Sequence, residues 1–368
     1  AHAVVAQKAA FGLVISASHN PFGDNGVKVF GPDGFKLSDA TESAIEAELL
    51  ALLEHPREAA AGKPLGSISS TRAGADSYVE HLINSFAQAR LSDLRVVVDC
   101  AHGAAFDVAP SVLQGLGVQH TSFGVEPTGR NINDKCGALH PESAGAKVRE
   151  VGANLGITLD GDADRVILLD EQGQVVDGDE LLMIAALSYK ARGELRGNTL
   201  VTTVMSNVGL EVALEKAGIS MVRTPVGDRY VVERLRESGF VLGGEQSGHI
   251  VCLDRVTTGD GLLAALVIME EICRRGVSLS ELRAGFVRFP QRLINVAVRH
   301  KPPFDELPEV HAAVRAAEAE LGSKGRVLLR YSGTELKARV MTEGESEQVV
   351  AQCAERVADV IQKTIGAA

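Results

Sequence analysis

Residues 155–169 read Leu-Gly-Ile-Thr-Leu-Asp-Gly-Asp-Ala-Asp-Arg-Val-Ile-Leu-Leu, two apolar runs of strand length joined by a loop that holds three carboxylates. Asp160, Asp162 and Asp164 stand at i, i+2 and i+4. On an extended or looped backbone they converge on one side, which is how a hard cation such as Mg2+ collects oxygen ligands. An EF-hand Ca2+ loop would use these three with Glu171 as its positions 1, 3, 5 and 12. It is excluded on two counts: position 6, where the sharp turn needs glycine, is Arg165, and the flanks read as strands where an EF-hand has helices. A plain solvated acidic turn would leave the mutual repulsion of three close carboxylates uncompensated. The stretch therefore predicts a strand, a metal loop and a second strand inside an α/β protein.

Toward the N-terminus, residues 12–28 read Gly-Leu-Val-Ile-Ser-Ala-Ser-His-Asn-Pro-Phe-Gly-Asp-Asn-Gly-Val-Lys. The apolar run 13–15 has the length and branching of a buried strand, and Asn20-Pro21 turns the chain away from helix. Ser18 is left on a tight loop at the strand end, where backbone N–H groups crowd around its hydroxyl, and Lys28 follows in a second apolar run. Taken alone, the stretch reads equally as a polar turn.

Further along, Gly31-Pro32-Asp33-Gly34 is a turn, and Ser38 or Asp39 caps a helix with Ile45, Leu49, Leu52 and Leu53 at helical spacing. Residues 59–74 read as a linker. A helix over 75–89, a strand over 94–99, a polar loop and a helix to 117 follow. The same order recurs with a strand over 200–204, a loop at Met205-Ser206-Asn207 and a helix over 208–216, so two successive domains share one βα plan. A third unit runs from 241 to a helix between Gly261 and about Cys273. Beyond 290 the chain changes to strands over 293–298, 326–329 and 336–341, with helices over 309–321 and from 346 onward. Borders near 75, 178 and 290 divide it into domains 1–75, 76–178, 179–290 and 291–368, the last a small α+β domain.

Two more stretches carry chemistry. In Gly243-Gly244-Glu245-Gln246-Ser247-Gly248-His249, the residues Glu245, Ser247 and His249 alternate and would face one side of an extended chain, a row suited to sugar hydroxyls. A turn with a lone histidine is the other reading. In Arg330-Tyr331-Ser332-Gly333-Thr334-Glu335, consecutive N–H groups can form an anion nest while Arg330, with Arg339 beyond, adds forked bonds to phosphate. A hairpin turn is the alternative there. Together, a nucleophilic hydroxyl, a Mg2+ loop, a polyol reader and a phosphate cradle spell phosphoryl transfer to or from a phosphosugar.

Composition narrows the class. With 368 residues and 38 glycines the chain is long enough for several domains with many tight loops. A formal charge of −11 argues against generic nucleic-acid binding, and 4% aromatic residues with no Trp offers no stacking platform. No apolar run approaches the roughly 20 residues needed to cross a bilayer, and residues 1–10 lack the pattern of a signal peptide. Five scattered cysteines (Cys100, Cys136, Cys252, Cys273, Cys353) without a CxxC pair suit a reducing cytoplasm and speak against structural zinc.

The four motifs, Ser16-Ala17-Ser18-His19-Asn20-Pro21, Asp160 to Arg165, Gly244 to His249 and Arg330 to Glu335, occur in the order found in the α-D-phosphohexomutase superfamily, which the chain resembles over essentially its whole length. Val226-Gly227-Asp228-Arg229-Tyr230-Val231, the Glu-Gln-Ser-Gly-His loop and the Ser-Gly-Thr-Glu loop look like the branch that isomerises glucosamine phosphates. The phosphoglucomutase/phosphomannomutase branch usually carries Glu-Met-Ser-Gly-His and an Asn in the last loop.

The resemblance implies an α/β multi-domain architecture of repeated βα domains with mixed sheets and a mobile C-terminal α+β domain. It implies that Ser18 is carried as phosphoserine and that Asp160, Asp162 and Asp164 hold Mg2+ with a phosphoryl oxygen on Ser18. Arg330, Ser332, Gly333, Thr334 and Arg339 would bind phosphate, and Gly227, Asp228, Glu245, Ser247 and His249 the sugar. Lys28 and His249 are the candidates for proton transfer, and Arg165 offsets charge. A glucosamine or glucose 1,6-bisphosphate would act as activator. The partner would be a small phosphosugar, with no nucleic acid or membrane, and a homodimer is compatible.

Two departures stand out. Family members begin some tens of residues earlier, which implies a first domain N-terminally incomplete here, and Leu336 stands where the family usually has proline after the glutamate. The rival functions are phosphoglucomutase or phosphomannomutase activity, a catalytically impaired sugar-phosphate-binding remnant, and a Mg2+-dependent phosphatase working through the Asp loop.

Overall fold

A computed structural model describes residues 1–55, 66–332 and 335–367. Residues 59–65 of the predicted linker, and Gly333 and Thr334 of the phosphate loop, lie outside the described residues. In chain order the elements are α1 (His2–Ala6), β1 (Gly12–Ser16), β2 (Gly26–Phe30), α2 (Asp39–Glu54), α3 (Ala73–Phe86), β3 (Arg95–Asp99), α4 (Val108–Gly115), β4 (Gln119–Phe123), α5 (Glu142–Val151), β5 (Leu155–Leu159), β6 (Val166–Leu169), β7 (Val175–Val176) and α6 (Gly178–Ala191). There follow β8 (Thr199–Thr203), α7 (Val208–Lys216), β9 (Ser220–Thr224), α8 (Asp228–Ser238), β10 (Leu242–Gly244), β11 (Ile250–Cys252), α9 (Gly261–Arg275), α10 (Leu279–Arg283), β12 (Gln291–Ala297), α11 (Pro308–Leu321), β13 (Arg326–Tyr331), β14 (Lys337–Glu343) and α12 (Glu347–Ile365). Two compact units result, Ala1–Gly178 with Asp228–Leu282, and Asp179–Gly227 with Arg283–Ala368.

The first unit is built on a mixed sheet of order β4-β3-β5-β6-β7. β3 runs parallel to β4 and β5, while β5 and β6 form an antiparallel hairpin with Leu159 opposite Val166. Every residue of β5 and β6 is buried, the reason these strands read as unbroken apolar runs instead of alternating ones. α9 packs on them and is apolar nearly all round, buried from Gly261 to Met269; a helix with no polar face belongs inside a protein. Asp260 starts it by accepting the N–H of Leu263 at 2.9 Å, and Gly276 ends it in the left-handed region at φ +64°.

The burial expected of the 13–15 strand fails in this unit, and the apolar stripe of α2 is also open. β1 pairs antiparallel with β2, yet Leu13 and Ile15 are 59% and 78% exposed. Helix α2 forms with Ser38 as its N-cap, but no residue on it is buried and Leu49 and Leu53 lie open. Strand and helix follow from local pattern; burial needs a packed neighbour, and among the described residues none covers these faces.

In the second unit β8 and β9 are a parallel pair, and β12 and β13 flank β14 antiparallel. One face of that three-stranded sheet, with Val296, Ala338 and Val340, packs on α11 and α12. α12 supplies Cys353, Val357, Ile361 and Ile365, an i, i+4 stripe begun by the Ser346 cap.

A single side chain joins three elements of this unit. Asn207, 1% exposed, caps α7 by accepting the N–H of Gly209 at 2.9 Å. Its Oδ1 also accepts from Phe289 N, and its Nδ2 donates to Phe289 O and to Glu343 Oε1, at 2.9, 3.0 and 2.9 Å. Buried orphans cost about 1–3 kcal/mol each. Asn207→Ala is therefore expected to lower the unfolding free energy by about 2–4 kcal/mol. The check is a fall in urea midpoint at unchanged slope; an unmoved midpoint would remove Asn207 from this role.

Candidate active site

The loop after β1 places Ser18 in the left-handed region at φ +51°, uncommon for a residue with a Cβ. Its N–H donates to Ser16 Oγ at 2.7 Å, and its hydroxyl lies 3.3 Å from His19 Nδ1. Burial, then the Arg165 charge, lower the His19 pKa, leaving a neutral ring beside the serine. The Ser18 carbonyl is reached by the Asp loop itself: Gly161 N–H donates to it at 3.1 Å. A Cβ on Gly161 would sit 2.4 Å from that oxygen, so only glycine lets the two loops meet.

The loop closing the β5–β6 hairpin brings Asp160, Asp162 and Asp164 together with oxygens all within 4.8 Å of one another. Asp160 Oδ1 accepts the Arg165 N–H at 3.2 Å, which shapes the turn. One oxygen of each carboxylate is buried without a hydrogen-bond partner among the described residues: Asp160 Oδ2, Asp162 Oδ1 and Asp164 Oδ1. Burial, then the Asp164 and Asp162 charges, raise the Asp160 pKa to about 7. Three hard oxygens, one held at such a cost, fit an oxygen-liganded divalent cation such as Mg2+.

Lys28, on β2, donates to Asp162 at 2.5 Å and Asp164 at 2.9 Å. Burial pulls its pKa down, but the two carboxylates prevail and raise it, so it is an ammonium here. His249 is 2% exposed, with Nδ1 3.6 Å from Asp164 and Nε2 3.6 Å from Asp228, beyond hydrogen-bond length. Burial lowers its pKa, and the attraction of Asp164 and Asp228 more than reverses this. Asp228 in turn pairs with Lys36. A line of alternating charge thus runs Lys28, Asp164, His249, Asp228, Lys36. Arg165 lies beside it, its Nε 4.0 Å from Asp164 and without a hydrogen bond among the described residues.

The polyol stretch departs from the extended chain that its alternation predicts and forms the turn of the β10–β11 hairpin. Gly248 N–H donates to Glu245 O and Glu245 N–H to His249 O, at 3.0 and 2.9 Å. Glu245 and Ser247 stay together, 3.4 Å apart, while His249 is carried into the interior. The carbonyl of Gly248, a residue at φ +91°, accepts the Val166 N–H at 3.0 Å, tying this turn to the β5–β6 hairpin. Gly227 precedes α8 at φ +135°.

In the second unit Arg330 and Arg339 face each other across β13 and β14. Burial and the Arg339 charge lower the Arg330 pKa, and Arg339 Nε is buried without a hydrogen-bond partner among the described residues. Like charges opposite one another are destabilising, and an anion would relieve them. Ser332, 3% exposed, presents its carbonyl to Lys301 Nζ at 2.6 Å.

Sequence reasoning missed His19, Lys36, Lys301 and Asn133, whose amide donates to Ser18 O. Only His19 lies within a quoted motif; the others are distant in sequence from what they touch.

Four domain models described as phosphoglucomutase/phosphomannomutase match the chain in order: alpha/beta/alpha domain I over residues 1–55, domain II over 76–173, domain III over 177–289 and the C-terminal domain over 293–360. Phosphoglucosamine mutase of Syntrophotalea carbinolica is 49% identical over 356 residues, covering 96% of this chain and 78% of that one. That of Anaeromyxobacter dehalogenans is 50% identical over 364 residues, covering 96% and 79%. Among solved structures, Aspergillus fumigatus N-acetylphosphoglucosamine mutase in complex with GlcNAc-6P and magnesium superposes with a TM-score of 0.73 at 19% identity, covering 98% of this chain and 92% of that one.

Proposed function

Because the chain belongs to the phosphoglucomutase/phosphomannomutase family, we propose that it is a phosphoglucosamine mutase, interconverting glucosamine 6-phosphate and glucosamine 1-phosphate. The observation that carries the reading is the junction of Ser18 with the Asp loop: a strained serine is hydrogen-bonded through its carbonyl to a loop bearing three under-coordinated carboxylates. A serine placed there can carry a phosphoryl group next to a cation.

In the forward direction the O1 hydroxyl of glucosamine 6-phosphate attacks the phosphoryl group on Ser18. The P–O1 bond forms as P–Oγ breaks, and the hydroxyl proton passes to a base. The bisphosphorylated sugar turns over, Ser18 Oγ attacks the 6-phosphoryl group, and O6 takes up the proton as glucosamine 1-phosphate leaves. Asp160, Asp162 and Asp164 would hold Mg2+, which supplies positive charge to a loose phosphoryl transition state. Arg165 adds to that charge. Lys28, a quarter exposed at 26%, is the better candidate for proton transfer, in a state where its carboxylates are engaged elsewhere. His249 is enclosed between Asp164 and Asp228. Glu245 and Ser247, with Gly227 and Asp228, take the sugar; Arg330, Ser332, Gly333, Thr334 and Arg339 take the non-reacting phosphate. A hexose 1,6-bisphosphate is the activator, and because the net charge of −11 opposes an anionic substrate, local basic groups must hold it.

The test is kcat/KM for glucosamine, glucose and mannose phosphates with catalytic bisphosphate and Mg2+. Preference for the amino sugar is expected. Equal turnover of glucose 1-phosphate would replace this assignment with phosphoglucomutase activity.

A further inference from the structure

The geometry points to Asn133 as the residue that positions the Ser18 loop for phosphoryl transfer, by tying both ends of the Ser18-His19-Asn20 turn through one amide nitrogen. The inference rests on the reading of Ser18 as the phosphoryl carrier. Asn133 lies between β4 and α5, more than a hundred residues from the serine. Its Nδ2 donates to Ser18 O at 2.8 Å and to Asn20 O at 2.9 Å. The same Ser18 carbonyl takes the Gly161 N–H at 3.1 Å, so the nucleophile loop, the metal loop and the Asn133 loop share one acceptor. Asn133 is itself held: its backbone is left-handed at φ +58°, and its N–H donates to Ala101 O at 3.0 Å.

The residue type is dictated by this arrangement. A serine at φ +51° turns its carbonyl out of the direction a strand would give it, at a cost of about 1–2 kcal/mol. The turned carbonyl persists because two donors meet it. A primary amide offers two N–H bonds from one nitrogen, as two nearby carbonyls require, and asparagine is among the few residues with a Cβ that enter the left-handed region readily. Aspartate has the same shape and tolerance but only acceptor oxygens, which would face two carbonyls. Asn133 acts through the carbonyls of Ser18 and Asn20 and is a positioning residue.

The two properties separate by substitution. Asn133→Gly keeps the backbone conformation and deletes the amide; Asn133→Asp keeps shape and conformation and reverses the hydrogen-bonding polarity. The measurements are kcat and KM for glucosamine 6-phosphate on the full chain, with hydrogen–deuterium exchange of the peptide spanning residues 17–20 and of β3 as a control for the fold. Displacing a reacting atom by about 1 Å costs on the order of 100-fold. Asn133→Gly is therefore expected to lose roughly 10- to 100-fold in kcat with little change in KM, and Asn133→Asp to lose more. Both should exchange faster at 17–20 with β3 unchanged. A backbone-only role predicts the opposite order, with aspartate near wild type; that result, or unaltered exchange at 17–20, overturns the inference. If wild type transfers no phosphoryl group, the mutase reading fails, while the exchange measurement still decides whether Asn133 holds the loop.

Discussion

Ser18→Ala is expected to abolish mutase turnover, by about 10^4-fold or more, and to eliminate phosphate on the protein by intact mass. The magnitude follows from the role proposed for the hydroxyl: with no covalent carrier, the phosphoryl group has no route between O6 and O1 except through water. Alanine also places a Cβ at φ +51° without the serine's local hydrogen bond, which confuses loss of chemistry with loss of conformation. Ser18→Gly resolves this. Glycine adopts that backbone at no steric cost and keeps the carbonyl that Gly161 and Asn133 hold, so it removes only the hydroxyl. Both variants should be equally inactive. Phosphate that persists on either one, or activity recovered in glycine, would place the nucleophile elsewhere.

Replacing Asp160 by asparagine should move activity and stability in opposite directions. Activity should fall because the proposed site loses a cation ligand; metal charge is worth several kcal/mol in the transition state, so a drop of about 10^2- to 10^3-fold is expected. Stability of the metal-free protein rises above neutral pH. The sign follows from the carboxyl: burial, with Asp164 and Asp162 nearby, raises its pKa from 3.8 to about 7 in the folded state. The folded chain then binds this proton more tightly than the unfolded one, so stability contributed below pH 4 is lost as pH rises to 7. The amide of the variant has no such proton to lose. Thermal midpoints in chelator between pH 4 and 8 should decline in wild type and less steeply in Asp160→Asn, while added Mg2+ should raise the midpoint of wild type more than that of the variant. Parallel pH curves would show that Asp160 does not carry the strain.

The Asp loop was legible because its chemistry is local. Three carboxylates at alternate positions between two apolar runs form a hairpin whose turn collects them, whatever the rest of the chain does. The polyol stretch shows the limit of the same approach: Glu245, Ser247 and His249 alternate, but Gly248 at φ +91° bends the chain and sends His249 inward. Exposure of Leu13, Ile15 and Leu49 shows another limit, since an apolar pattern states what can be buried and the neighbours state what is.

The α/β class, the two strands that flank the Asp loop and the four motifs are written in the chain itself, because hydrophobic period, turn residues and ligand spacing act over a few residues, whereas helices such as α5, α6 and α8 are not read from it. Folding in three dimensions adds the rest. Lys28 meets Asp162 and Asp164, Lys36 and His249 extend the line of charge through Asp228, and Gly161 and Asn133 hold the carbonyl of Ser18. Apart from His249 with Asp228, these contacts join residues more than a hundred positions apart. No local periodicity encodes them; they exist because packed sheets and helices bring separate loops to one place.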